Sequence, residues 1–405
     1  MWKDGMKRRE FLRNGSIAAL TAGLALPLAR SVAQDKNEKP KLVCRTLGRT
    51  QLRVPVVSFG VMNSDSPDLL KKALQMGINH FDTAFVYLRG NSEKSLGNVI
   101  KEAGMRGKVS IATKVWLAHN DDKGTFSPTT IGRQPGATKE NFFWQLDASL
   151  ERLGTNYVDI LYVHSCDTAQ MVSDETMMNA ALEAKKLGKT RFIGVSCHSK
   201  VPEVVRAAVD AKIYDVVEIA FNYLREDKNE IEQAIKYAKK HDIGVVAMKT
   251  QGGEREKGDT TPINHQAMLK WVLNHEEVST AIPGMTTFDQ LDLNISVMAN
   301  LALTEQEKKE LHLSAKGSGR LFCQSCRSCV PQCPQRVNIP HLMRAYMYSQ
   351  NYGNLIQAEI TLDELPIQNG LAICRDCGHC SADCRLGIPI GRRVQALLLQ
   401  HRSHA

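Results

Sequence analysis

The clearest chemical signal in this sequence of 405 residues is a pair of cysteine runs near its C-terminus. Three of the 11 cysteines lie elsewhere, and the others form two runs of the pattern C-x2-C-x2-C-x3-C. These are Cys323, Cys326, Cys329 and Cys333 in the first run, and Cys374, Cys377, Cys380 and Cys384 in the second. Three thiolates at this spacing, followed by a fourth, suit a 4Fe-4S cluster. We therefore predict two 4Fe-4S clusters.

The residues around these runs resemble those of bacterial ferredoxins that hold two clusters. Pro334 follows the first run, as it does in those proteins, whereas Arg385 stands at that place in the second. In two-cluster ferredoxins the fourth cysteine of each run ligates the cluster of the other run. The resemblance implies one set of Cys323, Cys326, Cys329 and Cys384 and another of Cys374, Cys377, Cys380 and Cys333. Zinc also binds paired Cys-x2-Cys runs, and disulfides form in exported proteins, so both remain alternatives.

A second group of side chains could hold and move a proton at a carbonyl oxygen. Tyr87 has a phenol whose ordinary pKa is about 10, and a cationic Lys114 beside it is expected to lower that pKa. Asp82 could hold the ammonium in place, and His164 could donate to the oxygen as negative charge develops. Each of these residues alone has an ordinary structural explanation. The catalytic interpretation therefore depends on their meeting in one pocket.

The hydrophobic pattern predicts the elements that would bring these residues together. Eight β-type runs alternate with helical patterns. The predicted strands cover residues 56–60, 80–84, 109–116, 157–165, 190–196, 215–222, 244–249 and 278–284. Eight strand-helix units over about 250 residues indicate an α/β fold of the (β/α)8 TIM-barrel type, with its active site at the C-terminal ends of the strands. An open doubly wound sheet is the alternative, although no Gly-x-Gly-x-x-Gly follows the first strand.

The extent of the alternating strand-helix pattern also predicts the domain boundaries. Two short β-type runs flank Gly48 and predict an N-terminal β-hairpin. From about Ser314 the composition changes to Cys, Gln, Arg and Pro. We therefore predict a barrel over 42–313 and a small α-helical, ferredoxin-like iron-sulfur domain over 314–405, with helices at 340–350 and 354–364.

The barrel region resembles the aldo-keto reductase family. Asp82-Thr83-Ala84 with Tyr87, followed by Asn91-Ser92-Glu93 and Leu96-Gly97, is similar to the signature of that family. The resemblance covers residues 42–313 and implies that Asp82, Tyr87, Lys114 and His164 form a catalytic tetrad. In the family this tetrad reduces a carbonyl with hydride from a nicotinamide cofactor. Some relatives also carry a C-terminal helical ferredoxin-like module.

The same resemblance implies contacts with NADP(H) or NAD(H). Ser165 and Ser196 would face the carboxamide, with Glu218 in place of the usual Gln. Phe221 would stack on the nicotinamide in place of the usual Tyr. Gly284, Gln290 and Asn294 would bind the pyrophosphate and the adenosine phosphate, and Lys249 is either a further cation for a phosphate or a surface lysine. Residues 284–287 lack the basic residue that often meets a 2′-phosphate, so the choice between the two cofactors stays open.

The N-terminal segment is predicted to be a targeting signal. Arg8 and Arg9 precede Phe11-Leu12 and an apolar run over 16–29, which small residues follow. This pattern resembles a twin-arginine signal peptide over 1–33, so we expect export of the folded protein to the periplasm or another extracytoplasmic site. No other apolar stretch is long enough to span a membrane.

Charge and composition narrow the expected partners. The net charge of +9 is spread over helices without a nucleic-acid motif, so we do not expect nucleic-acid binding. The expected partners are a small carbonyl or alcohol, whose identity the sequence does not give, and a redox partner protein. Two other hypotheses stay open: a non-catalytic cofactor-binding or electron-transfer subunit of a larger redox assembly, and clusters that are purely structural.

Overall fold

The computed structural model describes residues 42–252, 263–316 and 322–402. The predicted signal peptide, residues 1–33, lies outside this part of the chain. The described strands are β1 (Cys44–Thr46), β2 (Arg53–Pro55), β3 (Phe59–Gly60), β4 (His80–Asp82), β5 (Ser110–Val115), β6 (His119–Asn120), β7 (Thr125–Phe126), β8 (Val158–Val163), β9 (Thr190–Cys197), β10 (Val216–Ala220), β11 (Gly244–Met248) and β12 (Thr280–Ala281).

Eight of these strands form a closed parallel barrel. Neighbouring strands pair in the order β3-β4-β5-β8-β9-β10-β11-β12. The first and last strands meet through parallel bridges between Val57 and Ala281 and between Gly60 and Gly284. The Ser58 N–H donates to the Ala281 carbonyl at 2.8 Å across this seam. This closure confirms the predicted TIM-like barrel and excludes the open doubly wound sheet.

The helices follow the strands as the sequence pattern predicts. They are α1 (Pro67–Gln75), α2 (Asn91–Glu102), α3 (Lys139–Leu153), α4 (Ala169–Val172), α5 (Glu175–Lys186), α6 (Val201–Asp210), α7 (Lys228–Lys240), α8 (His265–Leu273), α9 (Phe288–Ser296), α10 (Glu305–Lys316), α11 (Ile339–Tyr346), α12 (Leu355–Asp363) and α13 (Ile390–Gln400). Local chemistry fixes their ends. The Thr138 side chain accepts from the Asn141 N–H to begin α3, and Gly154, with φ of 63°, ends it.

The predicted hairpin is confirmed and closes the N-terminal end of the barrel. β1 pairs with β2 in antiparallel register. Leu47, in the turn between them, is fully buried against a cluster of barrel residues that includes Ile160, Val216 and Val246. Because this end is filled with apolar side chains, the polar residues of the strands can form a site only at the other end.

The cysteine-rich region packs onto that other end, the C-terminal ends of the barrel strands. α12 lies over the loop that carries Tyr87, where Ile360 joins Ala84 and Trp116 in one apolar cluster. Polar contacts reinforce this packing, such as the donation from Asn354 Nδ2 to the Met62 carbonyl at 3.2 Å. In the described part of the chain, no helix combines the length and the apolar character that crossing a membrane requires.

Candidate active site

The four residues predicted as a tetrad lie around one point at the C-terminal end of the barrel. Asp82 ends β4, Lys114 lies on β5, and His164 directly follows β8. Tyr87 begins a short 3-10 turn after β4, and its ring meets the His164 ring edge-on, with 5.9 Å between centroids. The Lys114 ammonium lies 5.3 Å from the centre of the Tyr87 ring. The structure therefore brings all four together.

The segment after Tyr87 positions this turn and does not line the cleft. Ser92 Oγ lies 2.7 Å from Thr83 Oγ1, next to Asp82. Glu93 is fully buried and accepts from Arg152, 3.1 Å away. Arg152 also donates to the Phe85 carbonyl at 2.8 Å. These bonds connect α2 and α3 to the loop that holds Tyr87.

Lys114 is fully buried between two carboxyl groups. It donates to Asp82 Oδ1 and, at 3.0 Å, to the Thr83 carbonyl, and its Nζ lies 3.2 Å from Glu218 Oε2. Burial, and next the charge of Asp82, raise the pKa of Glu218 well above its ordinary value of 4.5. One buried ammonium can neutralise one buried carboxylate, so Glu218 carries the proton. A protonated acid offers a donor and an acceptor, as the Gln expected from the family does.

The expected lowering of the Tyr87 pKa by Lys114 is wrong. Burial raises this pKa well above 10, and the charge of Asp82 raises it further. The physical reason is that Asp82 already pairs with Lys114, so little positive charge is left for the phenol. The Tyr87 phenol therefore keeps its proton.

His164 is neutral in this environment. Burial, followed by the charge of Lys114, lowers its pKa to about 3. Its Nδ1 is buried without a hydrogen-bond partner in the protein. A neutral imidazole beside Tyr87 can orient a carbonyl oxygen without adding a charge to the site.

A cleft of about 270 Å³ opens above these residues. Asp82, Tyr87 and His164 line it at one end, whereas Lys114 lies beneath them. Six of the residues predicted to bind a cofactor also line it: Ser165, Glu218, Lys249, Gly284, Gln290 and Asn294. The cleft extends to the N-terminal turn of α9, whose N–H groups favour a phosphate. These residues fit a nicotinamide cofactor.

Two cleft residues have a left-handed backbone. Lys249, with φ of 54°, directly follows β11, and Ser165, with φ of 57°, lies two residues after the end of β8. Such conformations cost about 1 kcal/mol or more in residues other than glycine and are enriched at functional sites. Lys249 is half-buried, and desolvation in the cleft, followed by the charge of Arg344, lowers its pKa to about 7. Lys249 is therefore not a plain surface lysine.

Two residues predicted to bind the cofactor do not line the cleft. Phe221 is fully buried behind the strands, with its ring 5.0 Å from Trp271 and 5.1 Å from His275, so it cannot stack on a nicotinamide there. The apolar side chain that reaches the cleft at the end of β11 is Met248. Ser196 is also fully buried, and its Oγ accepts from the Ser165 N–H at 3.0 Å. It positions Ser165 rather than a ligand.

Sequence reasoning missed a whole wall of the cleft. This wall comes from the cysteine-rich region. It contains Arg344 on α11, Tyr348 just after α11, and Glu364 just after α12. Arg344 donates to Glu364, and Glu364 Oε1 lies 3.2 Å from Trp116 Nε1, which donates to it. No local signal in the sequence indicates these roles, because the cysteine-rich region reaches the cleft only through tertiary packing.

The cysteine-rich region fits two clusters in the crossed arrangement. Cys323, Cys326, Cys329 and Cys384 line one small cavity together. In the other set, the neighbouring thiols that raise the pKa of Cys374, after burial, are those of Cys377, Cys333 and Cys380. A Cβ added at Gly391 would lie 3.1 Å from Cys380 Cβ, so glycine leaves room beside this set. All eight thiols are free of disulfides.

Comparison with known proteins agrees with this geometry. Residues 58–267 match the model of the aldo/keto reductase family. The chain belongs to this family. Residues 322–388 match a 4Fe-4S dicluster domain. This aldo/keto reductase therefore joins a family barrel to a region with eight cluster-type cysteines, and membership of the family implies a nicotinamide cofactor.

Relatives of this aldo/keto reductase cover most of the barrel. It is 30% identical over 257 residues to methylglyoxal reductase DkgB of Escherichia coli O157:H7, a match that covers 60% of this chain and 85% of that protein. It is 25% identical over 312 residues to L-galactose dehydrogenase of Arabidopsis thaliana, covering 67% and 92%. An aldo-keto reductase of Bacillus halodurans in its holo form superposes with a TM-score of 0.54 at 22% identity, covering 67% and 95%, and shows the fold.

Proposed function

We propose that this enzyme interconverts a small carbonyl compound and its alcohol in the cleft, and that this chemistry is coupled to electron transfer through the two clusters. The position of Lys249 is the main support for this proposal. Lys249 lines the cleft that contains Tyr87 and also lines a second, small cavity that contains Cys323. Lys249, together with Gly252 and Arg344, thus lies between the cleft and a cavity that holds a predicted ligand of the first cluster.

The side chains of the cleft support the carbonyl chemistry. Tyr87 Oη carries the proton that a carbonyl oxygen accepts when it becomes an alcohol oxygen. Neutral His164 orients the same oxygen, and the Lys114–Asp82 pair stabilises the negative charge that develops. When bound, a nicotinamide cofactor would supply or accept a hydride, whose two electrons equal one electron on each of the two clusters.

The exposure of the cysteines supports exchange with a redox partner protein. Cys326 of the first set and Cys380 of the second are exposed, whereas Cys329 is buried. A cluster held by the first set would lie close to the protein surface at Cys326 and close to the cleft at Cys323. Such a position is better suited to electron transfer than to a purely structural role.

Spectroscopy of the anaerobically purified protein tests the coupling. Addition of NADPH or NADH alone should produce the paramagnetic signal of reduced clusters, and a small aldehyde such as methylglyoxal should then remove it. This aldehyde is the first choice because the barrel is similar to a methylglyoxal reductase. If dithionite reduces the clusters but neither nucleotide does, the clusters are not coupled to the barrel.

A non-catalytic subunit of a larger redox assembly is the second candidate. The observation that favours it is the burial of Phe221, which leaves no aromatic ring at the predicted stacking position. Equilibrium binding of NADPH and NADH without turnover of any aldehyde or alcohol would support this candidate.

Export by the twin-arginine route completes the proposal. Its support is the Arg8-Arg9 pair with Phe11-Leu12 and the apolar run behind it. Fusion of residues 1–41 to a reporter that folds in the cytoplasm should send the reporter outside the cytoplasm. Replacement of both arginines by lysine should keep the reporter in the cytoplasm, and export of that variant would contradict the proposal.

A further inference from the structure

Outside the cleft, three side chains of the metal-ligand type meet where the barrel contacts the cysteine-rich region. His119 lies on β6 and Asp121 follows it, in the loop after the third barrel strand, while His341 lies on α11. One ligand atom from each side chain lies within 4.8 Å of the other two. His119 Nε2 is 3.3 Å from Asp121 Oδ1, and His341 Nδ1 is 3.3 Å from Asp121 Oδ2.

These distances suit a single metal ion. In a tetrahedral site with metal–nitrogen bonds of about 2.0–2.1 Å, neighbouring donor atoms are roughly 3.3–3.5 Å apart. Each histidine nitrogen already lies at this distance from one of the two Asp121 oxygens. The three ligand atoms lie within 4.8 Å of one another, so a bound ion would need to draw them only slightly closer.

The second nitrogen of each ring has a partner that orients it for metal binding. His119 Nδ1 lies 3.3 Å from the Leu117 carbonyl, and His341 Nε2 lies 3.1 Å from Glu364 Oε2. Metal-binding histidines almost always donate their other N–H to a carbonyl or carboxylate in this way. Each of these bonds leaves a lone pair on the nitrogen that faces Asp121.

The surroundings leave room for a fourth ligand. The side chains of His119 and His341 are only 7% and 9% exposed. They line a cavity of about 110 Å³ together with Asp121, Gln134 and Asn338, which leaves room for a water ligand. Arg327 and Arg336 line the same cavity; Arg327 is paired at 2.8 Å with Asp122 and lies 3.6 Å from Asp121.

We propose that His119, Asp121 and His341 bind one divalent first-row transition metal ion, which ties the loop after the third barrel strand to α11 of the cysteine-rich region. Two imidazoles and one carboxylate, without a thiolate, suit Zn²⁺ or a similar ion rather than Ca²⁺ or Mg²⁺. None of these three ligands lines the cleft or belongs to the eight cysteines, although Glu364, the partner of His341, also lines the cleft. The proposed site does not depend on the proposed reaction.

Zinc binding to the full chain, with both clusters in place, tests the site. After equilibrium dialysis against Zn²⁺, the protein should retain one zinc per chain while its iron content stays unchanged. His119→Ala and His341→Ala should each weaken zinc binding at least about tenfold, since even the loss of an orienting partner costs 10- to 100-fold. His312→Ala, on the exposed face of α10, is the matched control and should bind as the unchanged protein does.

A second measurement covers the case in which a histidine variant folds poorly. Zinc should raise the midpoint of thermal unfolding of the unchanged protein, because it binds the native state, and it should not raise that of Asp121→Asn. The proposal is overturned if the protein retains no zinc beyond trace levels. It is also overturned if the histidine variants bind zinc as tightly as His312→Ala does, or if zinc enters only as iron is lost.

Discussion

Substitution of Glu218 by glutamine tests whether the buried carboxyl beneath the cleft is protonated. Lys114 lies between Asp82 and Glu218 and is fully buried. A single ammonium cannot compensate two buried carboxylates, so the pKa of Glu218 rises well above 4.5. Glutamine has nearly the same shape as the protonated acid and keeps one donor and one acceptor. We expect Glu218→Gln to retain carbonyl reduction within a few-fold.

The magnitude follows from proton linkage. Glu218 ionises near 4.5 when the chain is unfolded, whereas in the native state it keeps its proton. Above that pH the unfolded state binds fewer protons than the native state, so the free energy of unfolding falls as pH rises. The slope approaches about 1.4 kcal/mol per pH unit wherever the native state keeps this proton and the unfolded state has lost it. The glutamine variant does not lose this stability.

Thermal unfolding of anaerobic protein across pH 5 to 8 measures the effect. The two proteins should unfold at similar temperatures near pH 5, and Glu218→Gln should unfold several degrees higher at pH 7. Asp82→Asn is the matched control: it removes the charge that helps keep Glu218 protonated, so Glu218 can ionise beside Lys114, and the loss of stability between pH 5 and pH 7 should shrink. A pH-independent loss of stability in Glu218→Gln would refute the reasoning, because it would mean that Glu218 is ionised.

Three further predictions concern the ion pair and the clusters. Lys114→Met should destabilise the barrel by about 3–5 kcal/mol, measured by thermal unfolding, because it leaves Asp82 buried without its partner. Cys384→Ser should alter the same paramagnetic signal that Cys329→Ser alters, because the two thiols share one set. Arg385→Gln should lower the reduction potential of that cluster, since the guanidinium hydrogen-bonds the thiol of Cys326 and would stabilise the added electron.

Each of these has an outcome that contradicts it. An unchanged unfolding temperature in Lys114→Met would mean that the pair contributes nothing to stability. If Cys384→Ser changed the signal that Cys374→Ser changes, the crossed ligation would be wrong. A potential that is unchanged, or raised, in Arg385→Gln would remove the proposed effect of that side chain on the cluster.

The barrel could be predicted from the sequence because its signals are local. The alternation of apolar runs places all eight strands, and capping residues such as Thr138 and Gly154 place the ends of α3. The tetrad followed from the same logic, since the ends of parallel strands share one face of the barrel. Barrel closure itself depends on the pairing of β3 with β12, which the strand pattern alone cannot show.

The errors concern contacts between distant parts of the chain. β10 lies across the barrel from β4, so only closure brings Glu218 to the Asp82–Lys114 pair. The wrong direction for the Tyr87 pKa also comes from tertiary packing, because the burial that raises this pKa involves distant segments such as the one that carries Ile360. Phe221 follows the end of β10, and its side chain packs outward against Trp271. The wall formed by α11 and α12 joins residues more than 200 positions apart, such as Trp116 and Glu364. No periodicity within either segment indicates such a contact.

Steady-state kinetics of Tyr87→Phe tests the central claim, that the barrel performs carbonyl chemistry at this cleft, most directly. The unchanged enzyme, with both clusters intact, should reduce a small aldehyde at the expense of NADPH or NADH. Tyr87→Phe should lose this activity by at least about 100-fold, because it lacks the proton donor, while it binds the nucleotide and retains its iron. Equal rates for the two proteins would contradict the account.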